Sequence, residues 1–192
     1  MNGVSIGLFT LCLIGTAYYV VSTYALASHF RAGREKRFRH DSRTPPRVSV
    51  LKPVSGLDAG ARANFESYLR QDHGNYEVLF GVLDPQDPAV PALRHIVGPL
   101  SHASLHVGSE IDGVNNKVKI LYNLALRAAG DILVVTDADT RVAPHFLRRI
   151  TSYFVDESVG AVTCLYRGIR ARSVADALEG LHMTCVFAPG VA

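Results

Sequence analysis

Residues 4–27 read VSIGLFTLCLIGTAYYVVSTYALA and contain no charged side chain. As a helix with a rise of about 1.5 Å per residue, this run spans about 36 Å, enough for a hydrocarbon core of about 30 Å with some tilt. Tyr18, Tyr19 and Tyr24 gather toward its second end, where interfacial aromatics sit. A cleaved signal peptide would open with cations, carry a shorter apolar stretch and close on a small-residue cleavage site. Here the start is uncharged and the cations follow the apolar run. The pattern predicts a transmembrane anchor over residues 1–30. The positive-inside rule then places everything after residue 31 in the cytoplasm.

The charge pattern agrees. The chain of 192 residues has a formal net charge of +3, but residues 31–47 hold seven Lys/Arg against Glu35 and Asp41, a net of +5. The remainder is therefore slightly acidic, at −2. The basicity belongs to one juxtamembrane linker, 31–47, that anionic lipid would attract, and Pro45-Pro46 stiffen its end. A basic segment without interleaved aromatics gives no reason to expect nucleic acid as a partner. The three cysteines, Cys12, Cys164 and Cys185, form no C-x-x-C pair, and a reducing compartment fits them better than a disulfide framework.

From residue 48 onward short β-branched runs alternate with helical patterns. Strands are expected at 47–52, 76–84, 104–108, in the stretch 131–140 and at 159–166. Helices are expected from a cap at Asp58 to Leu69, over 87–98 with Pro88 at its first position, over 117–130, from Pro144 to about residue 155, and over 174–187. Apolar strands without strict alternation, separated by helices, predict an α/β fold with a mostly parallel sheet covered on both faces. Ligands of such sheets bind beyond the carboxyl ends of the strands. Three predicted strands end informatively, in Lys52-Pro53, in Asp84 and in Asp137-Ala138-Asp139. Neither G-x-G-x-x-G nor a P-loop is present.

Two aspartates at i and i+2 beyond an apolar strand repel each other unless a cation joins them. Oxygen donors of this kind suit Mg²⁺ or Mn²⁺, ions held by one or two carboxylates together with phosphate oxygens. Asp84 could accept hydrogen bonds from a base or ribose, although the DPQDP context also makes it an ordinary turn residue. Lys117, beside a predicted helix N-terminus after Asn115 and Asn116, would favour a phosphate there.

Taken together, VSVLKPVSGLD (48–58), YEVLFGVLDPQDPA (76–89), NNKVKILYNLALRAAGDILVVTDADTRVAP (115–144) and VGAVTCLYRG (159–168) resemble, in order and spacing, the family 2-like glycosyltransferases. The resemblance is strongest to the ceramide glucosyltransferase branch and its bacterial relatives in hopanoid biosynthesis, which share the uncharged anchor, the basic stalk and the K-P-x-x-G-x-D signature. It implies a GT-A (Rossmann-like) fold over 48–192, incomplete at its C-terminus. It also implies inverting transfer from a nucleotide diphosphate sugar, UDP-glucose or UDP-N-acetylglucosamine, to a lipid hydroxyl of the hopanoid or sphingolipid kind. The setting implied is the cytoplasmic face of a bacterial inner membrane. Asp84 would lie near uracil and ribose, Lys52-Pro53 would border the base, and Lys117 would lie near the diphosphate. Asp137 and Asp139 would hold Mg²⁺ or Mn²⁺, with Asp139 the better candidate for direct contact. Ceramide glucosyltransferases proper read D-S-G here, so the full D-A-D leans toward the bacterial branch. The catalytic base of the family is expected beyond Ala192, and Asp176 and Glu179 are poor substitutes for it.

Two other readings compete. D-A-D-T after an apolar strand could serve a metal-dependent phosphotransferase with Asp137 as nucleophile, but the threonine is out of register with the haloacid-dehalogenase pattern. The chain could also be an inactive, membrane-anchored nucleotide-binding fragment. His102 and His106 read as surface residues rather than metal ligands, and Arg167, Arg170 and Arg172 as a solvated face.

Overall fold

The computed structural model describes residues 2–35, 45–111, 113–169 and 173–183. Residues 36–44 of the expected linker, Arg170, Arg172, Cys185 and the last residues of the expected helix to 187 lie outside them. The chain divides into two compact units, Met1–Arg39 with Ala161–Ala192, and His40–Gly160.

In the first unit, helix α1 (Gly3–Glu35) runs through the apolar stretch and into the basic segment. Its portion Gly3–Ser28, with mean hydropathy 1.9, is long and apolar enough to cross a membrane. Its large apolar side chains, from Val4 to Tyr24, stand exposed. The hydroxyls of Thr10, Thr16 and Ser28 fold back on the carbonyls of Ile6, Cys12 and Ala25 at 2.7–2.9 Å, so these polar groups are satisfied without water. Helix α6 (Val174–His182) opens with a capping box: Ser173 Oγ accepts from the Asp176 N–H and Asp176 Oδ2 from the Ser173 N–H. Asp176 is thus a cap, which is what the serine three residues before it favours.

The second unit carries a four-stranded parallel sheet in the order β3-β2-β1-β4, with β1 Val48–Val54, β2 Tyr76–Val82, β3 Ala103–Val107 and β4 Ile132–Val135. The inner strand β1 is buried along its whole length, Ser49 and Lys52 included, as a parallel strand covered on both faces requires. It runs through Pro53, which the sequence suggested as its stop. On the β4 side the ladder takes the carbonyls of Arg47 and Leu51, from the N–H groups of Ile132 and Thr136, and pairing ends at Leu51 and Val135. An N–H at position 53 would face that same side, where β4 has already left, so the proline forfeits no ladder bond.

Helices α2 (Ala61–Leu69) and α3 (Ala89–Val97) follow β1 and β2. Phe65 of α2 meets Phe80 of β2 edge-to-face at 5.5 Å, and Leu93 of α3 is fully buried. Helix α4 (Asn116–Arg127) packs Ile120 and Leu124 on Leu51 and Leu79. It starts where expected because Asn115 Oδ1 accepts from the Val118 N–H at 3.2 Å. It stops at Arg127, earlier than the glycine at 130 suggested. Gly130 instead permits a close approach, since its backbone lies so near β1 that an added Cβ would sit 2.5 Å from Ser49 N. Asp58 does not cap α2; the cap position is Gly60, in the left-handed region at φ 99°. Asp87 does serve α3, with Oδ1 accepting from the Ala89 N–H at 2.8 Å. The segment after the aspartate pair is pinned by Gln71, which donates to Ala143 O and accepts from the N–H of Leu147 in α5 (Phe146–Thr151).

The expected fifth strand at 159–166 is corrected: those residues form no ladder. An apolar run becomes a strand only when a neighbouring strand pairs with it in register, and none is assigned to it among the described residues. Among the described residues β4 ends the sheet, with Leu133 and Val135 about half exposed.

His73, before β2, gives a pH expectation. Its Nδ1 accepts from the Asn75 N–H at 3.4 Å, and its buried Nε2 has no hydrogen-bond partner among the described residues. Burial pushes the imidazole below its ordinary value, against the opposing pull of the Asn75 hydrogen bond and Asp72. The folded chain therefore resists a proton that the unfolded chain accepts near pH 6.5. Stability from the neutral ring is complete above that pH and is lost as pH falls through the window below it. Tm is expected to drop between pH 7 and pH 5, and His73→Asn to flatten the drop in part, because His106 is shifted the same way by burial and Arg127. A slope identical in the variant would remove His73 as a contributor.

Candidate functional site

The sheet order reverses direction between β1 and β4, since β1, β2 and β3 step one way and β4 returns to the other side of β1. Such a switch point leaves a crevice at the carboxyl ends of the strands. The turn after β4, Thr136 to Thr140, lies at that point, and Lys52 of β1 lies under it.

Lys52, expected to border a base, is completely buried, on the side of β1 that faces α2. Its Nζ donates to Asp137 O at 2.6 Å and to Thr136 Oγ1 at 3.1 Å, and lies 3.5 Å from Thr140 Oγ1. The ammonium also stands 4.0 Å from the centre of the Tyr68 ring. Any effect of Lys52 on a ligand therefore runs through the turn. Its pKa is lowered from 10.5 to about 7, burial driving it down against the opposing charges of Asp139 and Asp137.

Lys117, on the first turn of α4, forms an ion pair with Asp137 Oδ1. The pair is about half exposed on both sides, so solvent screens it. Asp139 is exposed; its backbone carbonyl accepts from Asn64 Nδ2 at 3.1 Å, and Asn64 Oδ1 in turn accepts from Arg141 Nε at 3.1 Å. The repulsion between the two aspartates is thus met partly within the chain, by Lys117 beside them and Lys52 beneath, where the sequence suggested only a cation from outside. Asp84 lies two residues beyond the end of β2, at the same edge of the sheet, with Oδ1 accepting from the Gln86 N–H at 2.8 Å in a turn. No hydrogen bond joins it to the aspartate pair among the described residues.

The structure therefore brings Lys52, Lys117 and Asp137 into direct contact, ties Asp139 to α2, and leaves Asp84 across β1 from them. Asn64, Tyr68, Thr136, Thr140 and Arg141 complete the turn and are not anticipated by the sequence reading. Polar residues on a helix stripe, such as Asn64 and Tyr68 around Phe65, carry no sign of where they point until the helix is docked. His102 and His106 serve the fold: His102 Nε2 lies 3.2 Å from Leu69 O and 3.3 Å from Tyr76 Oη, and His106 Nε2 lies 2.9 Å from Ser104 Oγ.

Among the described residues no group of three or more His, Cys, Asp or Glu could enclose a metal. The donors that are present, the carboxylate of Asp137 and the exposed carboxylate of Asp139, fit a hard divalent ion that completes its shell with phosphate oxygens. They do not fit zinc in a closed protein cage.

A parallel sheet of this order, flanked by helices and ending in D-A-D at its switch point, defines a GT-A-like α/β domain. Its fold is similar to a mannosyltransferase of Pyrobaculum calidifontis solved with GDP-Man and Mn²⁺, at TM-score 0.54 and 26% identity over 79% of this chain and 47% of that one. The family model for glycosyl transferase family 21 matches residues 7–192, and the chain belongs to that family. Ceramide glucosyltransferase 1 of Caenorhabditis elegans is 24% identical over 166 residues, covering 85% of this chain and 35% of the relative. Ceramide glucosyltransferase 3 of the same organism is 28% identical over 132 residues, 68% of this chain and 27% of the relative. The ceramide glucosyltransferase of Gibberella zeae is 26% identical over 173 residues, 83% of this chain and 33% of the relative. The chain thus spans about a third of the length of the curated relatives it matches. Family membership sets aside the phosphotransferase reading of Asp137.

Proposed function

We propose that this chain is the anchored donor-binding portion of an inverting glycosyltransferase, moving a sugar from a nucleotide diphosphate sugar to the hydroxyl of a membrane lipid. The observation that carries the reading is the ion pair of Lys117 with Asp137 beyond the carboxyl end of β4, with the exposed Asp139 two residues on in the same turn. Cations and carboxylates at one crevice suit a ligand that is itself polyanionic and brings its own counter-ion. The donor proposed is UDP-glucose or UDP-N-acetylglucosamine, supported by the likeness of K-P-x-x-G-x-D and D-A-D to the family. The acceptor proposed is a sphingoid lipid, supported by the names of the relatives, or a hopanoid, supported by the likeness of the D-A-D motif to the bacterial branch; helix α1 would confine the chain to the bilayer surface. The basic run after the anchor supports a cytoplasmic orientation.

In this reading Asp84 accepts from base or ribose and Lys117 neutralises the diphosphate, releasing Asp137 as it does so. Asp137 and Asp139 would hold Mg²⁺ or Mn²⁺, which when bound supplies charge stabilisation to the leaving diphosphate. The carboxylate that takes the acceptor proton is not assigned within this chain.

Calorimetry of the full chain in detergent with UDP, GDP and the two UDP-sugars, each with and without Mn²⁺, tests this. Binding of UDP species that strengthens at least tenfold with Mn²⁺ is expected. Preference for GDP would overturn the donor assignment, and no binding under any condition would overturn the functional reading.

A further inference from the structure

We infer that Lys52 is a positioning residue whose buried ammonium clamps the D-A-D turn and so aims its two carboxylates at the open edge of the sheet; this rests on the functional reading above. An ammonium has three donors. Here Asp137 O, Thr136 Oγ1 and Thr140 Oγ1 receive all three, and the Tyr68 ring covers a further side. The acceptors are knitted to one another. Thr140 Oγ1 donates to Asp137 O at 2.7 Å, lies 3.1 Å from Thr136 Oγ1, and lies 2.8 Å from Tyr68 Oη. The Thr140 N–H closes the turn on Asp137 O at 3.3 Å.

The arrangement treats the two aspartates alike. Each has its backbone carbonyl held by a side chain from another element, Asp137 by Lys52 of β1 and Asp139 by Asn64 of α2. Fixing the carbonyls leaves both carboxylates outside the clamp. A buried lysine in a parallel strand is costly unless every donor is met, and a methionine of similar length would fill the space without that cost. The ammonium is therefore explained by what it does to the turn rather than by packing. Pro53 fits the same picture, because β1 needs no N–H where the turn departs.

The test uses the full chain in detergent, with Lys52→Met and, should that variant fold poorly, Thr140→Val, which removes the hydroxyl that links the acceptors while keeping shape. Two readouts are taken. Hydrogen exchange at the Thr136 and Thr140 amides is expected to rise at least tenfold in either variant, with exchange at the Val50 amide, in the middle of β1, unchanged. The affinity gain that Mn²⁺ gives to UDP is expected to fall at least fivefold, while affinity for UDP without metal changes less than twofold. A loss of stability alone would raise exchange everywhere and move both affinities together. Unchanged exchange in the turn, or an unchanged Mn²⁺ gain beside raised exchange, overturns the inference. Absence of any nucleotide binding in the wild-type chain defeats the functional reading instead, and exchange still decides whether the clamp exists.

Discussion

Asp139→Asn is expected to abolish the Mn²⁺ dependence of nucleotide binding, weakening affinity in the presence of metal by at least tenfold, about 1.4 kcal/mol. Asp139 is exposed, and no hydrogen bond engages its carboxylate among the described residues. It is tied instead through its backbone carbonyl, to Asn64. The substitution keeps size and removes charge, so the turn should survive it. Asp137→Asn should behave differently. It removes a donor but also frees Lys117, whose ammonium is held by that carboxylate. Nucleotide binding without metal is therefore expected to be stronger in Asp137→Asn than in wild type, while the metal gain still falls. Calorimetry with and without Mn²⁺ separates the two patterns. Equal behaviour of Asp139→Asn and wild type would remove the metal role from this aspartate, and equal metal-free binding in Asp137→Asn and wild type would show that Lys117 is not a competitor for the diphosphate.

How much of this was legible in the sequence depends on the range of each interaction. The apolar run that forms helix α1, the alternation of strand and helix from residue 48 to 135 and the start of α4 after Asn115 are written in local pattern. The likeness of whole motifs to a glycosyltransferase family carried the fold beyond what periodicity alone could. The hydrogen-bond partners of Lys52 were not legible, because they lie 84 to 88 residues away and meet it only through strand register. Read locally, a lysine before a proline at a strand end looks exposed. In the structure the strand continues two residues further and its alternate side chains point into the layer beneath α2. The fifth strand failed for the opposite reason: its apolar pattern is sound, but pairing is not a local property. Asp58 lost its capping role to Gly60, whose left-handed φ makes a turn the sequence did not mark.

Gly130 and Gly81 both sit where chain segments come closest, yet their substitution by alanine is expected to have different outcomes. At Gly81, in β2, an added Cβ would meet Ile120 Cγ2 at 2.3 Å and the Leu124 methyl groups at 3.1 and 3.2 Å. Those atoms are side-chain ends on α4. The helix can shift or the side chains can turn, so the cost should be of order 1–3 kcal/mol, the usual range for overpacking. Ile120→Ala should then recover part of it, because it removes the colliding atom, even though it opens space elsewhere in the Leu51–Leu79–Leu124 cluster. At Gly130 the obstacles are Ser49 N at 2.5 Å and Val48 C at 2.8 Å, backbone atoms of the central strand, with Ser49 Oγ at 2.7 Å between them. Neither backbone atom can move without unpairing β1 from its neighbours, and the Gly130 N–H would also lose its bond of 2.8 Å to Ser49 Oγ. Gly130→Ala is therefore expected to cost more than about 3 kcal/mol, at the far end of single-site effects, and no side-chain truncation should rescue it, Ser49→Ala included. Thermal unfolding of the single and double variants reads this as a coupling: positive and recoverable for Gly81 with Ile120, absent for Gly130 with Ser49. A Gly130→Ala chain as stable as wild type would mean that β4 does not enter the sheet against β1 at the separation described, and the seat of the D-A-D turn beside Lys52 would have to be redrawn.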